Sequence, residues 1–324
     1  MINPLSATSP SFSGHESFPL RFSWLKKGFD AALKDPTFFG SDDAMVVLGT
    51  GKNMVRSIRH WGIACGTLEE LPHSRGREVK PTRFGNQLLD DSGWDPFLEE
   101  LGTIWLLHWR LVCNTNKATT WSWVFGRPKG NRFTREDVIE ELLSLAREQE
   151  MRKPSRASVK RDVEVLVRSY TRAKAVRGSV PEDSLDSPFV LLDLIRSGIE
   201  KSQYEIVEGA HPTLPVGIFE AALAEYCEQA QAEAASEGQL KIRSQGSGQS
   251  ISLDALLYGA LSPGRVFRLS ENALLNYLHQ LVAMPGERYL FAETAGVRQL
   301  MLPKGPPKPL EVLSRFYKND GMAN

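Results

Sequence analysis

The sequence predicts a mainly α-helical protein with short β-hairpins. The stretch from Gly40 to Gly85 has the order of a short helix, a glycine turn, a second helix and a basic hairpin. A similar order recurs between Ser252 and Leu302. Between the two, residues 95–113 form the most hydrophobic helical segment, which we expect to be buried at the centre. These observations predict tandem winged helix-turn-helix modules around a helical core.

Composition sets loose limits on the class of protein. The 324 residues are 41% hydrophobic and 24% charged, which is typical of a globular protein. Lys plus Arg and Asp plus Glu both number 39, so any positive charge that binds nucleic acid must be gathered locally. The three cysteines lie far apart and lack the spacing of zinc ligands. With no signal-peptide pattern and no apolar run of membrane-spanning length, we expect a cytoplasmic protein with reduced thiols.

Changes in composition suggest four domains. We expect an N-terminal arm and winged helix-turn-helix in residues 1–92, and a central helical domain with a second basic helix pair in 93–180. A helical connector follows in 181–237 and a C-terminal winged-helix-like domain in 238–324. An acidic, turn-rich segment at 181–187 and a segment rich in Gly, Ser and Gln at 238–250 mark two of the boundaries.

The Gly40–Gly85 stretch carries the first candidate interface. Ser41 is expected to cap the first helix, and Gly49-Thr50-Gly51 to form the turn. In the second helix Met54, Ile58 and Trp61 recur at helical spacing and predict the inward face. The opposite face holds the candidate DNA-binding residues Lys52, Asn53, Arg56, Arg59 and His60. Such residues can bind phosphates and base edges, and the alternative is a solvated helix face.

The basic hairpin at residues 72–85 adds a second group of candidates. Its cations, Arg75, Arg77, Lys80 and Arg83, can bind backbone phosphates, and the alternative is a solvated hairpin. The nearby Gly49-Thr-Gly-Lys-Asn53 resembles the end of a phosphate-binding loop. The full pattern needs glycine where Val46 stands and Ser or Thr where Asn53 stands, so we exclude a nucleotide site.

A second basic surface is predicted in the central domain. The residues from Arg152 to Arg177 include nine basic side chains against Asp162 and Glu164. We expect Arg156, Lys160 and Arg161 to bind DNA there. The alternative is a basic helix packed on an acidic neighbour such as Glu140 or Glu141.

The remaining elements are predicted from caps and periodicity. Pro96 is expected to lie in the first turn of the hydrophobic helix over 95–113. His108, in the same helix, is expected to be a core histidine whose hydrogen bonds are satisfied. Thr134 and Asp137 are expected to form a capping box at the start of another helix. We then expect a helix over 191–199, a strand over 204–207 and a helix over 218–235. Towards the C-terminus Ser252 and Ser270 are expected to cap two helices, and residues 288–302 to form a hairpin closed around 294–296. The second of these helices lacks cations, which indicates a protein-docking or structural copy.

The N-terminal motif from Gly14 to Gly28 carries the candidates for chemistry. His15 and Glu16 could act as a general acid and base, with Arg21 near a phosphate and Lys52 and Arg56 beside them. The alternative is an arm that Phe18 and Trp24 pin against the winged helix. No nuclease constellation occurs at a known spacing and no metal ligand set is evident. We therefore expect no cofactor, and a divalent metal only if the protein nicks DNA.

Three motifs resemble a known family. The segments GHESFPLRFSWLKKGFD, LGTGKNMVRSIRHW and TIWLLHWRL resemble the bacterial domain-of-unknown-function family four thousand and seven. Its members include the SspB-like component of DNA phosphorothioation (sulfur-modification) defence systems against phage, regarded as a DNA-nicking endonuclease that exposes the backbone for sulfur incorporation. The resemblance implies a cysteine desulfurase, an ATPase and an adenylyl-sulfate-reductase-like protein as partners. Two alternatives are a non-enzymatic winged-helix adaptor or transcriptional regulator that recruits partner proteins to duplex DNA, and a protein-only scaffold.

Overall fold

The computed structural model describes residues 10–126, 130–148, 154–172, 187–200, 202–237, 243–245, 248–294 and 296–320. The chain divides into two units. The first unit consists of Met1–Val124 and Lys129–Val207, and the second of Phe125–Pro128 and Glu208–Asn324. The fold is mainly α-helical with small antiparallel sheets, as the sequence predicts. The finer division into four domains stays a prediction.

The first unit begins with four helices and a hairpin. They are α1 (Phe22–Lys34), α2 (Ala44–Leu48), α3 (Lys52–Ala64), β1 (Leu68–Glu70), β2 (Val79–Pro81) and α4 (Arg83–Leu89), with a 3-10 turn at Phe38–Gly40. Helix α1 packs on α3 and on β2. Ala32, Ile63, Leu68 and Val79 form a small apolar cluster at this junction. The hairpin is therefore fixed to the helices by burial of the first residue of each strand.

The turn between α2 and α3 is the one that the glycines predict. Gly49 adopts the left-handed conformation, with φ 64°, and ends α2. The predicted Ser41 cap is wrong, because the helix begins at Ala44 after Asp43, without a side-chain cap. The Ser41 hydroxyl instead accepts a hydrogen bond from the Asp43 amide at 3.2 Å. Ser41 therefore stabilises the turn that precedes the helix.

The rest of the first unit is a helical core with one small sheet. Its elements are α5 (Leu101–Cys113), α6 (Thr119–Gly126, whose last two residues belong to the second unit), β3 (Arg132–Thr134), α7 (Arg135–Glu148), α8 (Arg156–Tyr170), a 3-10 helix (Pro188–Leu192), β4 (Ile195–Ser197) and β5 (Gln203–Ile206). The strands pair antiparallel in the order β3–β5–β4. Ten of the thirteen residues of α5 are buried, which confirms it as the central helix.

Local capping explains where two of these helices begin. Helix α5 does not include the predicted Pro96; the Asp95 carboxylate instead accepts the amides of Glu99 and Glu100, just before the helix. The predicted capping box at α7 is confirmed. The Asp137 carboxylate accepts the Thr134 amide at 2.8 Å, and the Thr134 hydroxyl accepts the Asp137 amide at 3.1 Å.

The second unit is built around one long helix and a four-stranded sheet. Its elements are α9 (Val216–Glu237), β6 (Arg243–Gln245), β7 (Gly248–Ser252), α10 (Leu253–Tyr258), α11 (Pro263–Val266), α12 (Glu271–Val282), β8 (Leu290–Thr294), β9 (Val297–Leu302) and α13 (Pro309–Asp320). The sheet is antiparallel in the order β6–β7–β9–β8. Helix α9 packs against α12 and α13.

Several predictions for the C-terminal part of the chain, from residue 191 onward, are confirmed, and others differ from the structure. Ser252 and Ser270 cap α10 and α12, and the hairpin forms as β8 and β9. The predicted helix over 191–199 is wrong, since its second half forms β4 and pairs with β5. Of the predicted loop over 238–250, residues 238–242 and 246–247 lie outside the described residues, whereas 243–245 form β6 and 248–250 begin β7. Strand β5, the partner of β4, also pairs with β3 far back in the chain, and β6 and β7 are rich in polar residues, so local pattern gives little signal in either place.

The cysteines and the hydropathy agree with the expectations from sequence. Cys65, Cys113 and Cys227 are free thiols, and the first and last are buried. Burial raises the pKa of Cys227 to about 12, so this thiol is protonated and packs as a small apolar group. Among the described residues, no helix combines the length and apolarity that crossing a membrane requires.

Candidate nucleic-acid interface

The outer face of α3 carries a stripe of cations. Lys52, Arg56 and Arg59 recur at spacings of four and three residues, so they share one side of the helix. Lys52, Asn53 and Arg56 are exposed, as predicted. The Arg56 guanidinium is half exposed, and its Nη1 lies 3.5 Å from Glu16 Oε1. The part of this stripe nearest the start of α3 is therefore open to an anionic ligand.

Arg59 connects this stripe to the hairpin loop. Its Nη2 donates to Glu70 Oε1 at 2.8 Å and to the Gly76 carbonyl at 2.6 Å. Lys117 also donates to Glu70, at 3.1 Å. Burial raises the pKa of Glu70, but the hydrogen bonds from Arg59 and Lys117 outweigh it and the pKa is lowered. Arg59 is thus held by the protein itself, and it fixes the loop beside α3.

The loop between β1 and β2 presents further cations. Arg75 and Arg77 flank Gly76 and are exposed, with no partner among the residues that the structure describes. Lys80 on β2 pairs with Glu69 at 3.3 Å, whereas Arg83 on α4 is exposed and has no described partner. Because Arg59 binds the Gly76 carbonyl, Arg75 and Arg77 lie next to the end of the α3 stripe.

His60 is half-buried, so it is less open than the outer-face placement that the sequence predicts. Its ring centroid is 5.9 Å from that of His15 and 5.5 Å from that of Trp61. Burial, followed by the neighbouring His15 and the cations Lys117 and Arg59, lowers the pKa of His60 to about 3. The imidazole is therefore neutral near pH 7 and packs inward.

The predicted catalytic histidine is buried. His15 is 1% exposed, and its Nε2 lies 2.9 Å from Asp162 Oδ1 on α8. Asp162 also accepts hydrogen bonds from the Ser13 amide and from the Thr120 hydroxyl, the latter at 3.1 Å. Such a network satisfies a buried carboxylate and holds the histidine in place. His15 has no open path to a DNA phosphate in this conformation.

The other two catalytic candidates do not converge on His15. Glu16 pairs with Arg56 on the surface of α3. Arg21 precedes α1, and its guanidinium carbon lies 5.4 Å from the centre of the Trp24 ring. The structure therefore brings Glu16 to the α3 stripe, as predicted for the arm, but it does not assemble the three side chains into one site.

Residues 13–18, which we call the N-terminal strap, lie between α3 and α8. On the α3 side, the Ser57 hydroxyl donates to the His15 carbonyl and the Trp61 indole to the Phe18 carbonyl, both at 3.0 Å. On the α8 side, the Ser13 hydroxyl donates to the Ser158 carbonyl at 3.2 Å, and Arg168 donates to the Ser17 carbonyl. The strap is thus bound on both sides, which favours the predicted pinned arm.

The three candidates on α8 differ in their surroundings. Arg156 pairs with Glu136 and Glu140 of α7, which matches the alternative of a basic helix packed on an acidic neighbour. Lys160 lies 4.0 Å from Glu164. Arg161 is exposed and has no described partner. Arg152, Lys153, Lys174 and Arg177 of the predicted basic run lie outside the described residues.

Sequence reasoning missed Asp162 and Arg168 as binding groups for the strap. Asp162 stands between Val159 and Val163 on the apolar side of α8, and an acid in such a position must find partners. That placement is the signal that could have identified it. Within the described ranges, no group of three or more His, Cys, Asp or Glu side chains is arranged to hold a metal ion.

Comparison with known proteins identifies the relatives of this chain. The chain is 32% identical to the protein of an SspB crystal structure, with a TM-score of 0.84, and the match covers 98% of this chain and 90% of that one. A magnesium ion-bound SspB crystal structure matches at 32% identity and a TM-score of 0.85, covering 98% and 91%. No curated protein matches. The family model described as protein of unknown function (DUF4007) matches residues 12–317, so the chain belongs to that family.

Proposed function

We propose that the protein is a DNA-binding component of bacterial DNA phosphorothioate modification. Its similarity to SspB supports the system, because SspB-like proteins belong to these systems. The single observation that supports DNA as the ligand is the arrangement that Arg59 produces. It places Arg75 and Arg77, which no described acid neutralises, beside the stripe of Lys52 and Arg56.

The arrangement of elements supports a winged helix-turn-helix for this interface. Helix α2, the Gly49 turn, α3 and the β1–β2 hairpin follow one another in the order of that module. In the proposed complex α3 reads the groove, with Asn53 near base edges, and the hairpin loop binds the backbone. The elements from α10 to β9 are proposed as a second copy for partner docking. Its Glu271 pairs with Arg298 at 2.7 Å, so it offers less free positive charge.

Replacement of Arg56 by alanine is expected to weaken binding to a duplex several-fold. Because one phosphate contact is lost, the slope of log affinity against log salt concentration should become shallower by about 0.9. Fluorescence anisotropy with a labelled duplex at several salt concentrations measures both quantities. Lys308→Ala, which removes an exposed cation with one acidic partner in the second unit, is the control. Equal affinity for Arg56→Ala and wild type would remove α3 from the interface.

Nicking of DNA is proposed by resemblance, and a non-enzymatic adaptor is the second candidate function. The burial of His15 favours the adaptor, because the best candidate for acid–base chemistry is engaged with Asp162. Incubation with supercoiled plasmid and Mg²⁺ or Mn²⁺ distinguishes them; Mg²⁺ is included because a related SspB structure binds it. Open circles that are lost in Glu16→Gln support the nickase. Plasmid that stays supercoiled with every metal supports the adaptor.

The proposed partners are duplex DNA and the sulfur-modification proteins. By family resemblance these are a cysteine desulfurase, an ATPase and an adenylyl-sulfate-reductase-like protein. Co-purification of each candidate partner with the tagged chain tests this proposal. A chain that binds none of them, yet binds DNA, would leave only the DNA-binding part of the proposed function.

A further inference from the structure

The N-terminal strap brings basic side chains of two distant helices to the same place. Arg56 of α3 approaches the side chain of Glu16, and Arg168 of α8 donates to the carbonyl of Ser17. Glu16 and Ser17 are neighbours in the chain, so the two guanidinium groups flank the strap from opposite helices. Glu16 is the only acidic residue in the strap. Positive charge therefore continues from α3 across the strap to α8.

Helix geometry shows which edge of α8 takes part. Residues seven apart lie two turns along the same side of a helix, so Arg161 shares the edge of Arg168 at a distance of roughly 10 Å along the axis. Arg156 and Lys160 lie on another edge, where Arg156 binds the acids of α7. Arg161 is exposed and has no described partner. Glu164 lies between this edge and that of Lys160, and it pairs with Lys160 at 4.0 Å. Arg161 therefore keeps its positive charge at the edge that borders the strap.

We propose that Arg161 and Arg168 bind phosphates of the same duplex as Arg56, so that the DNA interface is one surface that crosses the strap. This inference rests on the proposed DNA binding and extends it. The phosphates of one strand of a duplex follow one another at about 3.4 Å of helix axis, so a backbone laid over the strap offers one to each guanidinium. The buried His15–Asp162 pair keeps the strap, and with it the two helices, in register.

The test compares neighbouring residues of α8 on a short duplex that still binds wild-type protein. Arg161→Ala should weaken binding several-fold and make the salt slope shallower by about 0.9. Lys160, which the sequence also predicts as a DNA contact, lies one residue away on another edge and pairs with Glu164. Under the single-surface proposal it does not contact DNA, so Lys160→Ala is the matched control and should leave the slope unchanged. Arg161 is preferred over Arg168 because its replacement leaves the strap contacts intact.

Each outcome separates this inference from the proposed function. Loss of affinity in Arg161→Ala and Arg56→Ala, but not in Lys160→Ala, supports one continuous surface. If only Arg56→Ala weakens binding, or if Arg161→Ala does so only on a long duplex, the single surface is wrong and α3 still binds DNA. If Lys160→Ala and Arg161→Ala lose the same affinity, the loss reflects the net charge of the protein and not a contact at one edge of α8, and the inference is overturned. If neither Arg56→Ala nor Arg161→Ala matters, the proposed function itself fails.

Discussion

Replacement of Asp162 by alanine is expected to lower the free energy of unfolding of the first unit by about 3–5 kcal/mol. This is the usual cost of removing one partner of a buried ion pair and leaving the other in place. The Asp162 carboxylate accepts hydrogen bonds from the Ser13 amide and the Thr120 hydroxyl and is paired with the His15 ring. His15 and Thr120 are both buried, so alanine would leave their polar groups without a partner or water. The strap would lose its main attachment to α8.

Denaturant unfolding followed by tryptophan fluorescence measures this effect. All seven tryptophans lie between residues 24 and 123, so the signal comes from the first unit. The ring centroids of Trp61 and Trp121 lie 6.2 and 5.8 Å from that of His15, so these two tryptophans report on the strap directly. The change should appear as a lower midpoint with a similar dependence on denaturant.

Two variants serve as controls for Asp162→Ala. Asp162→Asn keeps the shape and one acceptor oxygen, so it should cost less than alanine. Glu164→Ala removes an acid two residues along the same helix, whose partner Lys160 is exposed and 4.0 Å away, and should change stability by no more than about 0.5 kcal/mol. Similar losses for Asp162→Ala and Glu164→Ala would contradict the assigned role of the buried network.

The parts of the fold that sequence predicts well are governed by short-range geometry. The Gly49 turn follows from a backbone conformation that glycine adopts without strain. The caps at Ser252 and Ser270 and the capping box at Thr134 depend on residues three positions apart. The apolar content of α5 marks a buried helix without any knowledge of its neighbours. In each case the physical cause lies within a few residues.

The features that sequence does not predict depend on distant partners. His15 and Asp162 are 147 positions apart, so no local pattern indicates that the histidine is buried. Helical periodicity predicts that His60 faces solvent, which would hold if α3 were isolated. In the folded chain the strap covers that side of α3, and Gly14 packs against the His60 ring. Strand β4 lies in a segment that the sequence predicts as helix; it is the edge strand of a sheet whose central strand, β5, also pairs with the distant β3.

The candidate interface also has features that local pattern predicts and features that depend on the packing of neighbouring elements. Periodicity places Lys52 and Arg56 on the outer face of α3 correctly. It cannot separate a cation that is free from one that the protein itself neutralises. Arg59 is occupied by Glu70 and Gly76, and Arg156 by two acids of α7, whereas Arg161 is open. These differences decide which side chains remain available to phosphates, and they come from the packing of neighbouring elements.

Replacement of Glu220 by alanine is expected to destabilise the second unit by about 2–3 kcal/mol. Glu220 lies in α9 with a side chain only 1% exposed, where its carboxylate accepts a hydrogen bond from the Tyr289 hydroxyl at 2.9 Å and pairs with Arg315 of α13. Burial, reinforced by the Glu220 carboxylate, raises the pKa of Tyr289, so the phenol stays protonated and donates. Arg315 is 40% exposed, so water can solvate the freed guanidinium. The expected loss is therefore smaller than for Asp162→Ala.

Far-UV circular dichroism during denaturant unfolding is the measurement for Glu220, since the second unit contains no tryptophan. Glu220→Gln keeps the shape and an acceptor for Tyr289 but loses the ionic attraction, so its effect should lie between wild type and alanine. Glu311→Ala, in the first turn of α13, removes an exposed acid that pairs with exposed Lys308 at 3.8 Å and should cost at most about 0.5 kcal/mol. If Glu220→Ala costs no more than Glu311→Ala, the buried carboxylate does not hold α9 and α13 together. A clear loss for Glu220→Ala alone would show that this unit, like the first, is held by one buried acid that joins elements far apart in the chain.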